Sequence, residues 1–371
     1  MPKVSIVLPV YNGERYIRES IDSVVSQTLT DWELVIVNDC STDKTSTIIE
    51  EYAQKDRRIR IIHNHTNKNL PTSLNIGFSE SIGEYLTWTS DDNIYLPNAL
   101  ETMYKRLVTD DDCYMVCADM QYIDTKGNVT GDSIRYDNKF ICYMNNVGAC
   151  FLYKRQVKEE IGDYNPDLLY VEDYDYWLRV RKTYGRIERV DEILYQYRQH
   201  DCSLSETKRR SVRVQLARLR KQQLDFILST LCEEHAHICY IFNEFLVDHI
   251  EVEDIKEQFY VSVPQLKNFV YSDLSVRKFI IFGSGDFGMR AAKVLGQKAI
   301  CFIDNNYNKV GQTICELKVH SFHELPAIKE DCIIMIAVEQ SKWFSIIQQL
   351  NQSGDYKYCT YQDYMSGEGQ V

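Results

Sequence analysis

No apolar run in this 371-residue chain approaches the roughly twenty residues needed to cross a bilayer, so a spanning helix is not expected. Nor is a secretory leader legible, because Met1-Pro2-Lys3 passes directly into a strand-like run. The twelve cysteines include no pair at CxxC spacing. Cys40, Cys117, Cys150, Cys301 and Cys332 sit in or beside apolar runs, which argues for free thiols in a reducing compartment rather than a zinc site or a disulfide framework. A basic excess is also missing: the net charge of −12 argues against non-specific binding to nucleic acid. These absences place the chain in the cytoplasm, with any membrane contact peripheral.

What is present is the composition of a globular protein, 44% hydrophobic and 26% charged, at a length that calls for two domains. Val4 to Val10 (VSIVLPV) and Trp32 to Asn38 (WELVIVN) are continuous apolar runs, the pattern of strands buried on both faces of a parallel sheet. Between them, Glu14 to Gln27 places Ile17, Ile21, Val24 and Val25 on one helical face. Asp39-Cys40-Ser41-Thr42-Asp43 opens a helix over Lys44 to Gln54. A strand over Arg58 to His63 and a short helix over Thr72 to Ser79 follow, stopped at Gly83. This alternation predicts a doubly wound α/β sheet, whose ligands bind beyond the carboxyl ends of the strands.

The stretch from Glu84 to Pro97 (EYLTWTSDDNIYLP) begins as such a strand and breaks into Ser90-Asp91-Asp92-Asn93 before a helix over Asn98 to Leu107. Two adjacent carboxylates at a strand end are costly unless a cation neutralises them, and hard divalent ions take oxygen ligands. A solvated Asp/Asn turn is the competing reading. Further on, Tyr114 to Asp124 and Val129 to Tyr136 form a predicted hairpin around Thr125-Lys126-Gly127-Asn128. A strand over Cys150 to Tyr153 and a helix over Arg155 to Ile161 lead to Val171-Glu172-Asp173, and these residues open a helix over Tyr174 to Tyr184. A last strand, Tyr195 to Arg198, ends at His200.

VSIVLPVYNGERYIRESIDSVVSQT, WELVIVNDCSTDKT, TSDDN, VEDYDYWLR and YRQH, in that order, resemble the family 2 glycosyltransferases of the GT-A fold over about residues 3 to 205. The resemblance implies inverting transfer from a nucleoside diphosphate sugar, usually UDP-linked, with Mn²⁺ or Mg²⁺, to a glycan or lipid-linked acceptor in bacterial surface polysaccharide synthesis. It makes Asp173 the general base, held beside the positive end of a helix dipole, with Glu172 at acceptor hydroxyls. The alternative is that the two acids only cap the helix. The family's DxD signature aligns with Thr89-Ser90-Asp91, so its first acid is missing here, Asp92 follows directly, and Asp91 becomes the metal ligand. Thr89 would keep only a hydroxyl for the ribose. His200 fits a late metal ligand of the family, against a structural role at the strand end.

For the base, Pro9 and Tyr11 can wall the ring, and Asp39 can accept an imide N–H, which favours uracil or thymine over cytosine. Leu74 stands where the family often has a phosphate-side Arg, leaving Lys68 as the nearby substitute. Acceptor entry in the family lies near the segment holding Gly148, where a missing side chain leaves room.

Residues 208–221 (KRRSVRVQLARLRK) carry seven basic side chains and no acid, with Val212, Leu216 and Leu219 on one helical face. Such a helix can lie on anionic lipid or pack on the catalytic domain with its basic face in water. Farther on, Lys278 to Phe282, the glycine turn Gly283-Ser284-Gly285-Asp286-Phe287-Gly288, a helix over Met289 to Leu295 and Ala299 to Ile303 followed by Asp304 predict a Rossmann-like unit. It can bind a nucleotide, or serve structure or homo-oligomerisation. The expected domains are therefore 1–205 (GT-A), 206–273 (helical connection) and 274–371 (Rossmann-like). Rival functions are a sugar nucleotidyltransferase, which would need a glycine-rich basic loop where VYNGER stands, and a non-catalytic sugar-nucleotide sensor.

Overall fold

A computed structural model describes residues 1–134, 141–142, 144–200, 207–230, 277–328, 332–339, 342–361 and 364. The chain divides into two compact units, Met1–Gln223 and Leu224–Val371. Residues 231–273 of the expected helical connection, and the last residues of the returning hairpin strand, lie outside the described residues.

In the first unit the alternation appears as β1 (Val4–Val10), α1 (Ile17–Val25), β2 (Trp32–Asn38), α2 (Thr45–Lys55), β3 (Ile59–His63), α3 (Leu70–Glu80) and β4 (Tyr85–Trp88). Then come β5 (Ile94–Tyr95), α4 (Ala99–Val108), β6 (Met115–Ile123), β7 (Val129–Ile134), β8 (Phe151–Lys154), α5 (Arg155–Ile161), α6 (Glu172–Tyr184), β9 (Glu188–Arg198) and α7 (Arg209–Gln222). The sheet order is β3-β2-β1-β4-β8-β6-β9-β5, with β7 paired to β6. The β3-β2-β1-β4 half is parallel, and antiparallel pairing begins at β4–β8, so the sheet is mixed rather than doubly wound throughout.

Every residue of β1 and β2 is buried, as continuous apolar runs demand of strands with neighbours on both sides. Full burial of each Val, Ile or Leu there contributes about 1.5–3 kcal/mol. The charge buried in β2, Glu33, is satisfied by Ser5 Oγ at 2.6 Å, the Ile82 amide at 2.6 Å and Arg60 Nη1 at 3.2 Å. In α1, Ile17, Ile21 and Val24 face the core, while Val25 is 38% exposed, because the buried stripe ends one residue earlier than periodicity predicts.

The helix carrying the acidic pair, α6, is more enclosed than an amphipathic pattern suggests. Tyr174, Tyr176, Trp177, Leu178 and Val180 are all buried. Trp177 meets Phe151 edge-on at 4.5 Å, and Tyr176 stacks on Tyr164 at 4.3 Å. Trp88, at the end of β4, donates its indole N–H to Tyr164 Oη at 3.1 Å. This aromatic layer ties the start of α6 to the strand that delivers the Asp91–Asp92 turn.

In the second unit, α8 (Leu224–Ser229) precedes β10 (Lys278–Phe282), α9 (Asp286–Leu295), β11 (Ala299–Asp304), β12 (Thr313–Ile314), β13 (Leu317–Ser321), β14 (Cys332–Ile336), α10 (Trp343–Ser353) and β15 (Tyr358–Thr360). The sheet runs β12-β13-β11-β10-β14-β15, parallel except for β12–β13. A Cβ on Gly288 would lie 1.9 Å from Gly283 O, so the helix can approach its glycine turn only at glycine.

Candidate active site

Asp39 follows β2 and Asp91 follows β4, on either side of the end of β1. Asp39 is 4% exposed and holds the loop after β3: its Oδ1 accepts from Asn64 Nδ2 and the Lys68 amide, both at 2.8 Å, and its Oδ2 accepts the Asn69 amide at 2.9 Å. A carboxylate offers about four lone-pair sites, so one acceptor position of Asp39 stays open. Lys68 is thus anchored through its backbone, with its side chain exposed. Pro9, expected to wall the base, pairs with Val37 inside the sheet and is buried, whereas Tyr11, 52% exposed, offers an open face.

At the end of β4 the Thr89 amide donates to Val7 O, which prolongs the parallel pairing. Thr89 is 1% exposed, and its hydroxyl lies 2.6 Å from Tyr195 Oη. The hydroxyl expected to contact the ribose is thus enclosed and engaged with Tyr195. Asp91 turns the other way, against the loop after β1, where a Cβ on Gly13 would lie 1.9 Å from Asp91 Oδ2. Gly13 is therefore what lets the carboxylate reach that loop. Burial first, and then the charge of Asp92, push the Asp91 carboxyl up to about 7.

Asp92 Oδ2 lies 2.9 Å from His200 Nε2, so the histidine expected beside Asp91 as a metal ligand has Asp92 as its direct partner. Among the described residues, no group of three or more His, Cys, Asp or Glu is arranged to hold a metal ion. The donor set nonetheless fits one. Asp92 Oδ1 is buried without a hydrogen-bond partner, and burial together with the Asp92 charge disfavours the ionised form of the neighbouring Asp91 carboxyl. A hard divalent cation relieves both conditions.

The second acidic pair opens α6. The residue before it, Val171, makes no side-chain cap bond, and Tyr170 adopts φ 80°, a conformation that costs a bulky residue about 1–3 kcal/mol. Asp173 Oδ2 accepts from Asn145 Nδ2 at 2.8 Å, and its Oδ1 accepts the Tyr174 amide at 2.7 Å. Burial pushes the Asp173 carboxyl above the usual range, against the pull of these two donors. Glu172, expected at acceptor hydroxyls, is 3% exposed and its Oε2 has no hydrogen-bond partner. Burial, reinforced by the Asp173 charge, pushes Glu172 to about 8. Gly148 is half-buried at φ 75°, so the backbone itself requires glycine there.

Sequence reasoning passed over Arg198, Tyr195 and Asn145. Arg198 and Tyr195 stand in the last strand it recognised, but nothing local says that their side chains turn back onto residues 89–93. In the second unit, Asp304 Oδ2 accepts both the amide (2.9 Å) and the hydroxyl of Ser284, so the acid expected to hold a ribose ties its strand to the glycine turn. Beside it lies a cavity of about 230 Å³ lined by Asp304, Asn305, Tyr307, Ser321, Phe322, His323 and Gln349. The basic helix, α7, buries Ala217, Leu219 and Arg220, and Lys221 stays exposed. Among the described residues no helix is long and apolar enough to cross a membrane.

A mixed sheet with acids at the carboxyl ends of its parallel strands defines a GT-A fold, and the comparisons agree. Residues 5–164 match the model of Glycosyl transferase family 2. An uncharacterized glycosyltransferase of Methanocaldococcus jannaschii is 30% identical over 251 residues, covering 64% of this chain and 82% of that protein. One from Rickettsia typhi is 34% identical over 222 residues, covering 56% of this chain and 67% of that protein. The chain belongs to glycosyltransferase family 2. It spans only about a third (34%) of the length of a Rickettsia felis relative, also 34% identical. Among solved structures, the mannosyltransferase PcManGT from Pyrobaculum calidifontis, in complex with GDP-Man and Mn²⁺, has a similar fold (TM-score 0.52, 15% identity, 71% of this chain and 75% of that one).

Proposed function

We propose that the chain transfers a sugar from a nucleoside diphosphate sugar, UDP-linked, to a hydroxyl of a glycan or lipid-linked acceptor in surface polysaccharide synthesis, with inversion at the anomeric carbon. The acceptor oxygen bonds to that carbon as the bond to the diphosphate breaks, and the acceptor proton passes to Asp173. Asn145 orients the receiving carboxylate. The raised proton affinity of Asp173 makes it a stronger base than a solvated Asp. Asp91 and Asp92, with His200 on Asp92, would hold a divalent cation. That cation, when bound, neutralises charge on the departing diphosphate. Asp39 keeps one acceptor site, which suits a single imide N–H of uracil.

The observation that carries this reading is the Asp91–Asp92 pair: two carboxyls at the end of a parallel strand, one pushed up by burial and one with a buried oxygen lacking a donor. Such a pair lacks positive charge, and a divalent cation would supply it while bridging to the donor's diphosphate. The Pyrobaculum mannosyltransferase of like fold was solved with GDP-Man and Mn²⁺, which accords with a donor bound together with a cation. Calorimetric titration of UDP with Mn²⁺ and with EDTA tests the reading. Affinity at least about tenfold higher with the cation is expected; equal affinities would overturn it.

A further inference from the structure

Arg198 is 1% exposed, at the last position of β9, and each of its donor groups is engaged. Its Nε donates to the Asp92 carbonyl at 2.9 Å, its Nη1 to the Asp124 carbonyl at 3.1 Å and its Nη2 to Glu19 Oε2 at 2.6 Å. The guanidinium also lies over the Tyr16 ring, 4.5 Å from its centroid. Its backbone amide donates to Asn93 Oδ1 at 2.8 Å. One residue thus joins α1, the end of β6 and the Asp91–Asp92 turn.

The surrounding contacts follow a register. Tyr195 holds Thr89, β5 pairs Ile94 with Gln196 and Tyr95 with Tyr195, Arg198 holds Asp92 and Asn93, and His200 meets Asp92 Oδ2. The end of β9 therefore tracks the acidic turn residue by residue, from a distance of 106 positions for Arg198 and Asp92. A helix-capping or surface arginine has no reason to be buried against two backbone carbonyls; a planar fork with donors in fixed directions is suited to locking a turn whose carboxylates repel each other.

We infer that Arg198 is a positioning residue for the acidic turn: it fixes the backbone of Asp92, and with it the placement of the Asp91–Asp92 turn, through Arg198–carbonyl and Arg198–Glu19 bonds. The functional half of this inference rests on the donor reading above. Arg198→Lys keeps the charge but loses the planar fork: its three N–H donors radiate from a single nitrogen and cannot reach acceptors spaced around Nε, Nη1 and Nη2.

Two measurements on the full chain separate the possibilities. Amide hydrogen exchange in the peptide spanning residues 89–95 is expected to quicken about tenfold in Arg198→Lys, with the β1 and β2 peptides unchanged. UDP affinity is expected to fall about tenfold in Mn²⁺ and to stay unchanged in EDTA, because only cation-bridged binding depends on the turn. Unchanged exchange in the 89–95 peptide would overturn the inference. Faster exchange combined with cation-independent UDP binding in the unsubstituted protein would retire the donor reading and leave the clamp standing. If Arg198→Lys does not fold, Glu19→Gln, on a side chain 54% exposed, is expected to shift the same peptide in the same direction by about threefold, and no shift there would equally overturn the clamp.

Discussion

Asn145 Nδ2 donates to Asp173 Oδ2 at 2.8 Å across 28 positions of sequence, and this bond gives the carboxylate its direction. The Tyr174 amide on Oδ1 is a local helix-start contact that any acid at that position could make. The Asn145 bond is not local, and it opposes the burial that raises the proton affinity of Asp173. Asp173→Asn is expected to lower turnover by roughly 10²–10⁴-fold and leave UDP affinity unchanged. Turnover within a few-fold of the parent would remove Asp173 from the mechanism.

Asn145→Ala takes away a donor that stabilises the ionised form of Asp173. The carboxyl should then hold its proton to higher pH, and the acid limb of the kcat/KM profile should move upward, with turnover at neutral pH reduced about tenfold. A profile that does not move would show that the bond is not made in the working enzyme.

Removing Asp91 tests the cation. Asp91→Ala should weaken UDP binding in Mn²⁺ by at least about tenfold and abolish most of the difference between Mn²⁺ and EDTA. In calorimetry, an Asp91→Ala protein that keeps the full cation effect would return the pair to a solvated turn.

The buried Glu172 makes stability fall as pH rises. Its folded proton affinity is raised, so above the ordinary Glu range the unfolded chain has lost a proton that the folded chain keeps. Stability from this group is intact below the unfolded value and is lost progressively up to about 8. The loss is about 1.4 kcal/mol for each tenfold difference in proton affinity between the two states. Thermal unfolding of Glu172→Gln should therefore depend less on pH between 5 and about 8 than that of the parent. An identical pH dependence would place the Glu172 proton in solvent-like surroundings.

The candidate donor residues, from Pro9 to His200, all lie within Met1–Gln223. A chain ending at Val270 is expected to keep cation-dependent UDP affinity, provided it stays soluble after losing the remaining strands. Lost affinity in a folded, monodisperse truncation would assign part of the donor site to the later residues.

Much of the fold was legible in the sequence because its causes are local. Continuous apolar runs such as VSIVLPV and WELVIVN must be strands covered on both faces, and the glycine turn before Met289 allows one close helix approach. The acids at strand ends were legible for the same reason, since Asp39, Asp91 and Asp173 each follow or open an element whose limits periodicity marks. What only the tertiary structure decided is how those acids are held. Thr89 was enclosed because Tyr195 lies opposite it, and Glu172 was buried at the start of α6. His200 was matched to Asp92 rather than Asp91 by the register of β9 against the turn. Arg198, 106 positions from Asp92, became a buried fork only once β6, α1 and β9 were brought together. Hydrophobic periodicity is a property of neighbours along the chain, whereas the partner of a buried polar atom depends on which distant segment is packed against it.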